Sequence, residues 1–171
     1  WEKRPNEENP GEFPLSLNIE ITTKCNLACT FCYHRELTAE QKIHMKFDLF
    51  KKIIDEAKIY KLPSVNLNGL GEPITHPKLV DMIRYCKDSN IEDIMFHTNG
   101  TVMTEKFAKK IIEAGLTQII FSLDTTDKKT YEEMRIGANF EEVNENVEKF
   151  IKVRNQMGSK LPIVKTVMVL T

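Results

Sequence analysis

Three of the four cysteines in this 171-residue chain, Cys25, Cys29 and Cys32, stand within eight residues in the segment CNLACTFC, spaced C-x3-C-x2-C. Thiols packed so closely on one loop are a metal-binding pattern rather than a disulfide framework. Two kinds of site fit. Three thiolates can hold three corners of a cubic iron-sulfur cluster, which takes one ligand per iron and leaves the fourth iron to an exchangeable molecule. Alternatively, His34 completes a closed Cys3His set with the same cysteines around one zinc ion. The first site is open and reactive; the second only staples the chain. Cys86 stands alone on an apolar stripe, where a thiol behaves as a small hydrophobe.

Further polar motifs follow. In GLGEP, residues 69–73, glycine lets a backbone approach a ligand closely, and Glu72 places a carboxylate acceptor beside it. The same letters also spell an ordinary turn. HTNG, residues 97–100, places Thr98 and Asn99 where they can reach a ligand, although Asn-Gly is equally a turn pair. SLD, residues 122–124, offers Ser122 and Asp124, the latter also able to cap a following turn. Arg135 can fork onto a carboxylate or sit as a solvated surface charge. His97 receives no catalytic role.

The elements that carry these residues read as an alternation. Residues 15–22, LSLNIEIT, alternate in the period of a strand. Residues 47–60 put Phe47, Phe50, Ile53, Ile54 and Ala57 on one helical face, closed by Pro63. A strand over 65–68 follows, then a helix opened by Pro77 with Leu79, Met82, Ile83 and Cys86 inward. A third strand covers 94–98. Thr104 can cap the next helix and Gly115 end it, before a strand over 118–123. Asn139 with Glu142 forms a capping-box pair for a long helix, and residues 163–170 make a fifth strand. Strand-helix alternation means a parallel α/β sheet with helical crossovers. In such sheets ligands meet the carboxyl ends of the strands, and every polar motif above lies there.

Composition narrows the function. With 41% hydrophobic and 29% charged residues the chain suits one folded core rather than disorder. Lys and Arg number 24 against 25 Asp and Glu, so the net charge of -1 supplies no general field for nucleic acid. The longest run free of charged side chains is 11 residues, 94–104, too short to span a bilayer. Residues 1–11 are charged and Pro-containing, unlike a secretory leader, which sets a cytoplasmic expectation.

CNLACTFC followed by Tyr33, with aromatic Phe31 before the last cysteine, resembles the cluster loop of the radical S-adenosylmethionine (radical SAM) enzymes. The later motifs fall in that family's order, so the resemblance runs from Leu15 to Thr171. It implies a parallel (β/α) partial barrel of TIM-barrel-like type, truncated after about five strands, with residues 1–14 as an N-terminal extension and 15–171 as the core. It implies a 4Fe-4S cluster on Cys25, Cys29 and Cys32, with S-adenosyl-L-methionine (SAM) chelated to the fourth iron and cleaved reductively to a 5'-deoxyadenosyl radical that abstracts a substrate hydrogen. The cofactor-binding residues it implies are Phe31, Tyr33, Gly71, Glu72, Asn99, Ser122, Asp124 and Arg135. Among these Glu72 would take the SAM ammonium, Ser122 and Asp124 its ribose or carboxylate, and Arg135 its carboxylate. Leu70 departs from the motif, which has Gly there. The implied partners are a small-molecule or peptide substrate and an electron donor such as a flavodoxin or ferredoxin. The nearest branch carries C-terminal auxiliary-cluster extensions and includes molybdopterin-precursor synthase and peptide- and sulfatase-modifying enzymes. The family core has six strand-helix units, so the chain is expected to be part of a longer protein.

Overall fold

Five short strands lie side by side in the computed structural model, which describes residues 13–168: β1 (Ser16–Asn18), β2 (Ser64–Asn66), β3 (Asp93–Thr98), β4 (Gln118–Ser122) and β5 (Ile163–Val167). Their spatial order is their chain order, and every pairing is parallel. The crossovers are helical: α1 (Phe47–Ile59), α2 (Leu79–Asp88), α3 (Glu105–Glu113), and between β4 and β5 both α4 (Lys128–Met134) and α5 (Phe140–Gln156). This is the expected α/β sheet, open as a partial barrel.

Alternation along the strands decides what faces what. Ile19, Ile21, Val65, Leu67, Ile94, Phe96, Ile119 and Phe121 are buried against the helices. They meet the stripes Phe50, Ile54 and Ala57 of α1, Leu79, Met82, Ile83 and Cys86 of α2, and Ala108, Ile111 and Ile112 of α3. Burial of these side chains drives the two layers together, each contributing about 1.5–3 kcal/mol. The helix starts carry the expected caps. Thr104 Oγ1 accepts from the Phe107 N–H at 3.2 Å, and Asn139 Oδ1 accepts from the Glu142 N–H at 2.9 Å. Gly115, at φ 97°, closes α3.

The strands are shorter than their sequence patterns. The first was expected over 15–22, yet the ladder stops at Asn18 because the extended chain changes partners. Ile19 N–H still bonds Asn66 O at 2.8 Å, but Ile21 O accepts from Met45 N–H and Thr22 pairs antiparallel with His44. Apolar alternation therefore continues where sheet pairing has ended. Of the fifth strand's expected span, residues 169–170 lie outside the described residues, as do residues 1–12 of the N-terminal extension. Among the described residues no helix is long and apolar enough to cross a membrane.

Candidate functional site at the strand ends

The cysteine loop leaves the end of the first extended run and is tied to the rest of the sheet on three sides. Lys24 O accepts from the Glu72 N–H at 2.8 Å and from Thr75 Oγ1 at 3.2 Å. Asn26 bonds the turn after β3, its Oδ1 accepting from Asn99 Nδ2 at 3.0 Å and its Nδ2 donating to Thr101 Oγ1 at 2.7 Å. The Ala28 and Thr30 N–H groups donate to Ile136 O and Met134 O, at 3.0 and 2.8 Å, at the end of α4. Three separate crossovers thus hold one loop, the kind of support a precise site needs.

Gly71 is required by this arrangement, for a reason other than the expected one. A Cβ there would meet the backbone carbonyls of Thr22 and Lys24. The close approach seen here is between Gly71 and the cysteine loop itself.

Glu72 is 3% exposed and spans the base of the site. Its Oε1 accepts from Thr98 Oγ1 at 2.7 Å and from the Ile74 N–H at 3.2 Å, and its Oε2 from the Asn99 N–H at 2.7 Å. Burial pushes its carboxyl above the usual range, and these donors pull it back. Thr98 in turn accepts from the Gly100 N–H, while Asn99 Oδ1 accepts from the Thr101 N–H at 3.0 Å. The Asn99-Gly100 turn has Gly100 at φ 75°, and Asn146 of α5 clamps it by donating to Gly100 O at 2.9 Å. The turn pair and part of the cavity lining, alternatives in the sequence, are one structure here.

Arg135 is buried, which corrects the reading of it as a solvated surface charge. It ends α4 and donates through Nε to Asp124 Oδ2 at 2.6 Å. Its Nη1 lies 4.0 Å from Cys29 Sγ, and its guanidinium sits 5.5 Å from the Phe31 ring centroid and 6.0 Å from that of Tyr131. Capping of α4 falls to Asp127, whose Oδ1 accepts from the Thr130 N–H, and not to Asp124.

A cavity of about 380 Å³ opens among these groups, lined by all three loop cysteines together with Phe31, Gly71, Glu72, Asn99, Ser122 and Arg135. The lining also takes in Asn68 and His97. Tyr33, 64% exposed, lies outside this lining, as does Asp124, which pairs with the lining residue Arg135. Asn68 was missed in the sequence, as was Glu20, whose Oε1 accepts from the Leu70 N–H at 2.6 Å. Their signal was present as the polar half of the strand alternation, Ser16-Asn18-Glu20 and Ser64-Asn66-Asn68.

The donor set fits an iron-sulfur cluster better than zinc. Burial pushes the Cys25 and Cys29 thiols up, opposed at Cys25 by the Leu27 N–H and at Cys29 by the Arg135 guanidinium. Thiolates there call for added positive charge, which a bound metal group supplies. His34 is buried outside the cavity lining, with Nε2 unpartnered among the described residues. Among the described residues no three Cys, His, Asp or Glu side chains converge on one point fit for a single ion. The closed Cys3His set is therefore not formed, whereas sulfurs spread around a mouth suit a group with separate irons.

The sequence profile of the Radical SAM superfamily matches residues 19–170. A probable GTP 3',8-cyclase of Methanococcus maripaludis is 35% identical over 147 residues, covering 86% of this chain and 49% of the relative. The tungsten-containing aldehyde ferredoxin oxidoreductase cofactor-modifying protein of Pyrococcus furiosus is 32% identical over 157 residues, covering 91% and 43%. The chain thus spans about half the length, or less, of these curated relatives. Among solved structures, Streptococcus suis SuiB bound to S-adenosylmethionine superposes with a TM-score of 0.76 at 23% identity, over 93% of this chain and 35% of that one. The enzyme anSMEcpe with bound AdoMet gives 0.72 at 22% identity, over 92% and 44%. A loop of three cysteines at the mouth of an open parallel sheet, a profile matching nearly the whole chain and relatives above 30% identity agree: the chain belongs to the radical SAM superfamily of enzymes.

Proposed function

We propose that this chain is the radical-generating core of an enzyme that cleaves SAM reductively and uses the resulting 5'-deoxyadenosyl radical to abstract a hydrogen atom from a substrate. The family's cofactors are a 4Fe-4S cluster and SAM, and Cys25, Cys29 and Cys32 are the residues to hold the cluster. When bound, the reduced cluster supplies the electron that breaks the SAM sulfonium bond. The observation that carries the reading is the cavity in which these cysteines, Glu72 and Arg135 meet.

The chain's own residues prepare that cavity in three ways. Glu72, fixed by Thr98, Asn99 and Ile74, presents a buried carboxylate with one acceptor position left for an ammonium donor. Arg135 brings a guanidinium whose Nη2 group makes no hydrogen bond to a described residue, suited to a carboxylate. Phe31, Asn99 and Ser122 line the space between them, and the apolar faces around it limit water. The partners that follow are a substrate, small molecule or peptide, and a one-electron donor such as a flavodoxin or ferredoxin.

Anaerobic reconstitution tests this directly. The protein should gain a broad brown absorption, bleached by dithionite, and then release 5'-deoxyadenosine from SAM. His34→Ala should retain that absorption, and Cys29→Ala should lose it. A colourless protein that binds one zinc ion per chain and loses it with His34 would overturn the reading.

A further inference from the structure

The side of the sheet turned away from the helices is polar on β1 and β2 and mixes polar side chains with Met95, Ile120, Ile163 and Val167 on β3, β4 and β5, where a closed parallel barrel is packed with branched apolar side chains. At its lower end the polar groups consume one another. Ser16 Oγ donates to Ser64 Oγ and Ser64 Oγ to Asp93 Oδ2, both at 3.3 Å; Gln118 Nε2 donates to Asp93 Oδ1 at 2.7 Å, and Lys165 Nζ to Gln118 Oε1. This hydrogen-bonded row crosses all five strands and makes a closed floor.

Above the floor the groups exceed their internal partners. Asn66 Nδ2 donates to Asn18 Oδ1 at 2.9 Å, but Asn66 Oδ1 is buried with no partner among the described residues. Glu20 gives one carboxylate oxygen to the Leu70 N–H and keeps the other. Asn68 and His97, which line the cavity beside the cysteines, make no side-chain hydrogen bond with any described residue. An unpartnered buried polar atom costs about 1–3 kcal/mol, so Asn66 Oδ1 calls for a ligand that pairs with it, and the exposed Glu20 and half-buried Asn68 and His97 lie open to the same ligand.

We propose that this face binds the substrate, and that the substrate is a compact small molecule bearing several amino or hydroxyl donors, with Glu20 and Asn66 accepting from it and Asn68 and His97 fixing its orientation. The proposal rests on the radical reading above, since these groups adjoin the same cavity. An apolar peptide side chain would leave Asn66 Oδ1 and the second Glu20 oxygen unpaired, which disfavours it here.

The test uses reconstituted holoenzyme with SAM bound and saturation-transfer NMR with four probes: glucosamine, cytidine, spermidine and capped tri-leucine. At least one of the first three should bind, and its affinity should fall at least about tenfold in Asn66→Leu and in Asn68→Leu. Asn68→Leu removes no side-chain hydrogen bond to any described residue, so it keeps the test valid if Asn66→Leu fails to fold. Binding of none of the three polar probes, or binding of tri-leucine that survives both variants, would overturn the proposal. Production of 5'-deoxyadenosine is measured in the same samples. If it forms but no polar probe binds, only the substrate class is wrong; if it does not form, the radical reading itself fails.

Discussion

Arg135 and Asp124 form an ion pair of 2.6 Å whose side chains are only 8% and 1% exposed, at the junction of β4 and α4 beside the cysteine loop. Both charges are desolvated, so the pair adds little net stability over an apolar pair, but removing the guanidinium takes the Arg135 counter-charge away from a buried carboxylate. Arg135→Met should therefore lower the unfolding free energy by about 3–5 kcal/mol. Urea denaturation reads this, and the double variant Arg135→Met with Asp124→Leu should recover part of the loss. An unchanged midpoint in the single variant would show that the carboxylate is compensated from elsewhere.

The two outer glycines of GLGE differ in what crowds them. At Gly71 a methyl group meets backbone on the cysteine loop, whereas at Gly69 it meets only the Glu20 side chain, which can swing aside. Gly71→Ala should cost about 1–3 kcal/mol and reduce the iron incorporated, while Gly69→Ala should cost less than Gly71→Ala. Thermal denaturation and iron analysis of the two variants side by side check the order.

All four histidines, His34, His44, His76 and His97, are held below the ordinary value of 6.5, in each case first by burial. His76 shows why. Its Nδ1 accepts from the Lys78 N–H and its Nε2 lies 3.0 Å from Met45 O, an arrangement that fixes the neutral ring with its proton on Nε2. Below pH 6.5 the unfolded chain takes up protons that the folded chain resists. Stability is thus complete above pH 6.5 and declines as pH falls toward the folded-state values. Urea midpoints at pH 7.5, 6.5 and 5.5, values chosen to bracket that transition, should decrease in that order. His76→Gln should flatten the slope, and a midpoint rising toward acid would contradict the assignment.

Cys86 is fully buried in α2, and burial pushes its thiol up to about 12. In metal-free protein at pH 8, iodoacetamide should modify it at least about tenfold more slowly than Cys25 and Cys32, which are partly exposed at the cavity. Mass spectrometry of native and denatured samples locates the label. Equal rates at Cys86 and Cys25 would mean that α2 opens readily.

Much of the fold was legible because it is local. The stripes of α1 and α2, the Thr104 and Asn139 caps and the turn at Asn99-Gly100 each depend on residues a few positions apart. Positions that depend on distant partners were not. The burial of Arg135 needs Asp124 across eleven positions and the Phe31 ring from another loop. The crowding at Gly71 needs the Thr22 and Lys24 carbonyls some fifty residues away. Glu20 and Asn68 were visible only as the polar half of a strand pattern, whose facing is set by pairing with neighbours. The cysteine motif was legible because its spacing lies within one loop; its separation from His34 was not, since the short turn Tyr33–Glu36 decides where that ring goes.

The bonds from Lys24, Asn26, Ala28 and Thr30 to three separate segments make the shape of the sulfur-bearing loop a shared property of the sheet. A shift in any one of those segments is passed straight to the sulfurs, so remote positions in the sequence tune the loop as firmly as its immediate neighbours do.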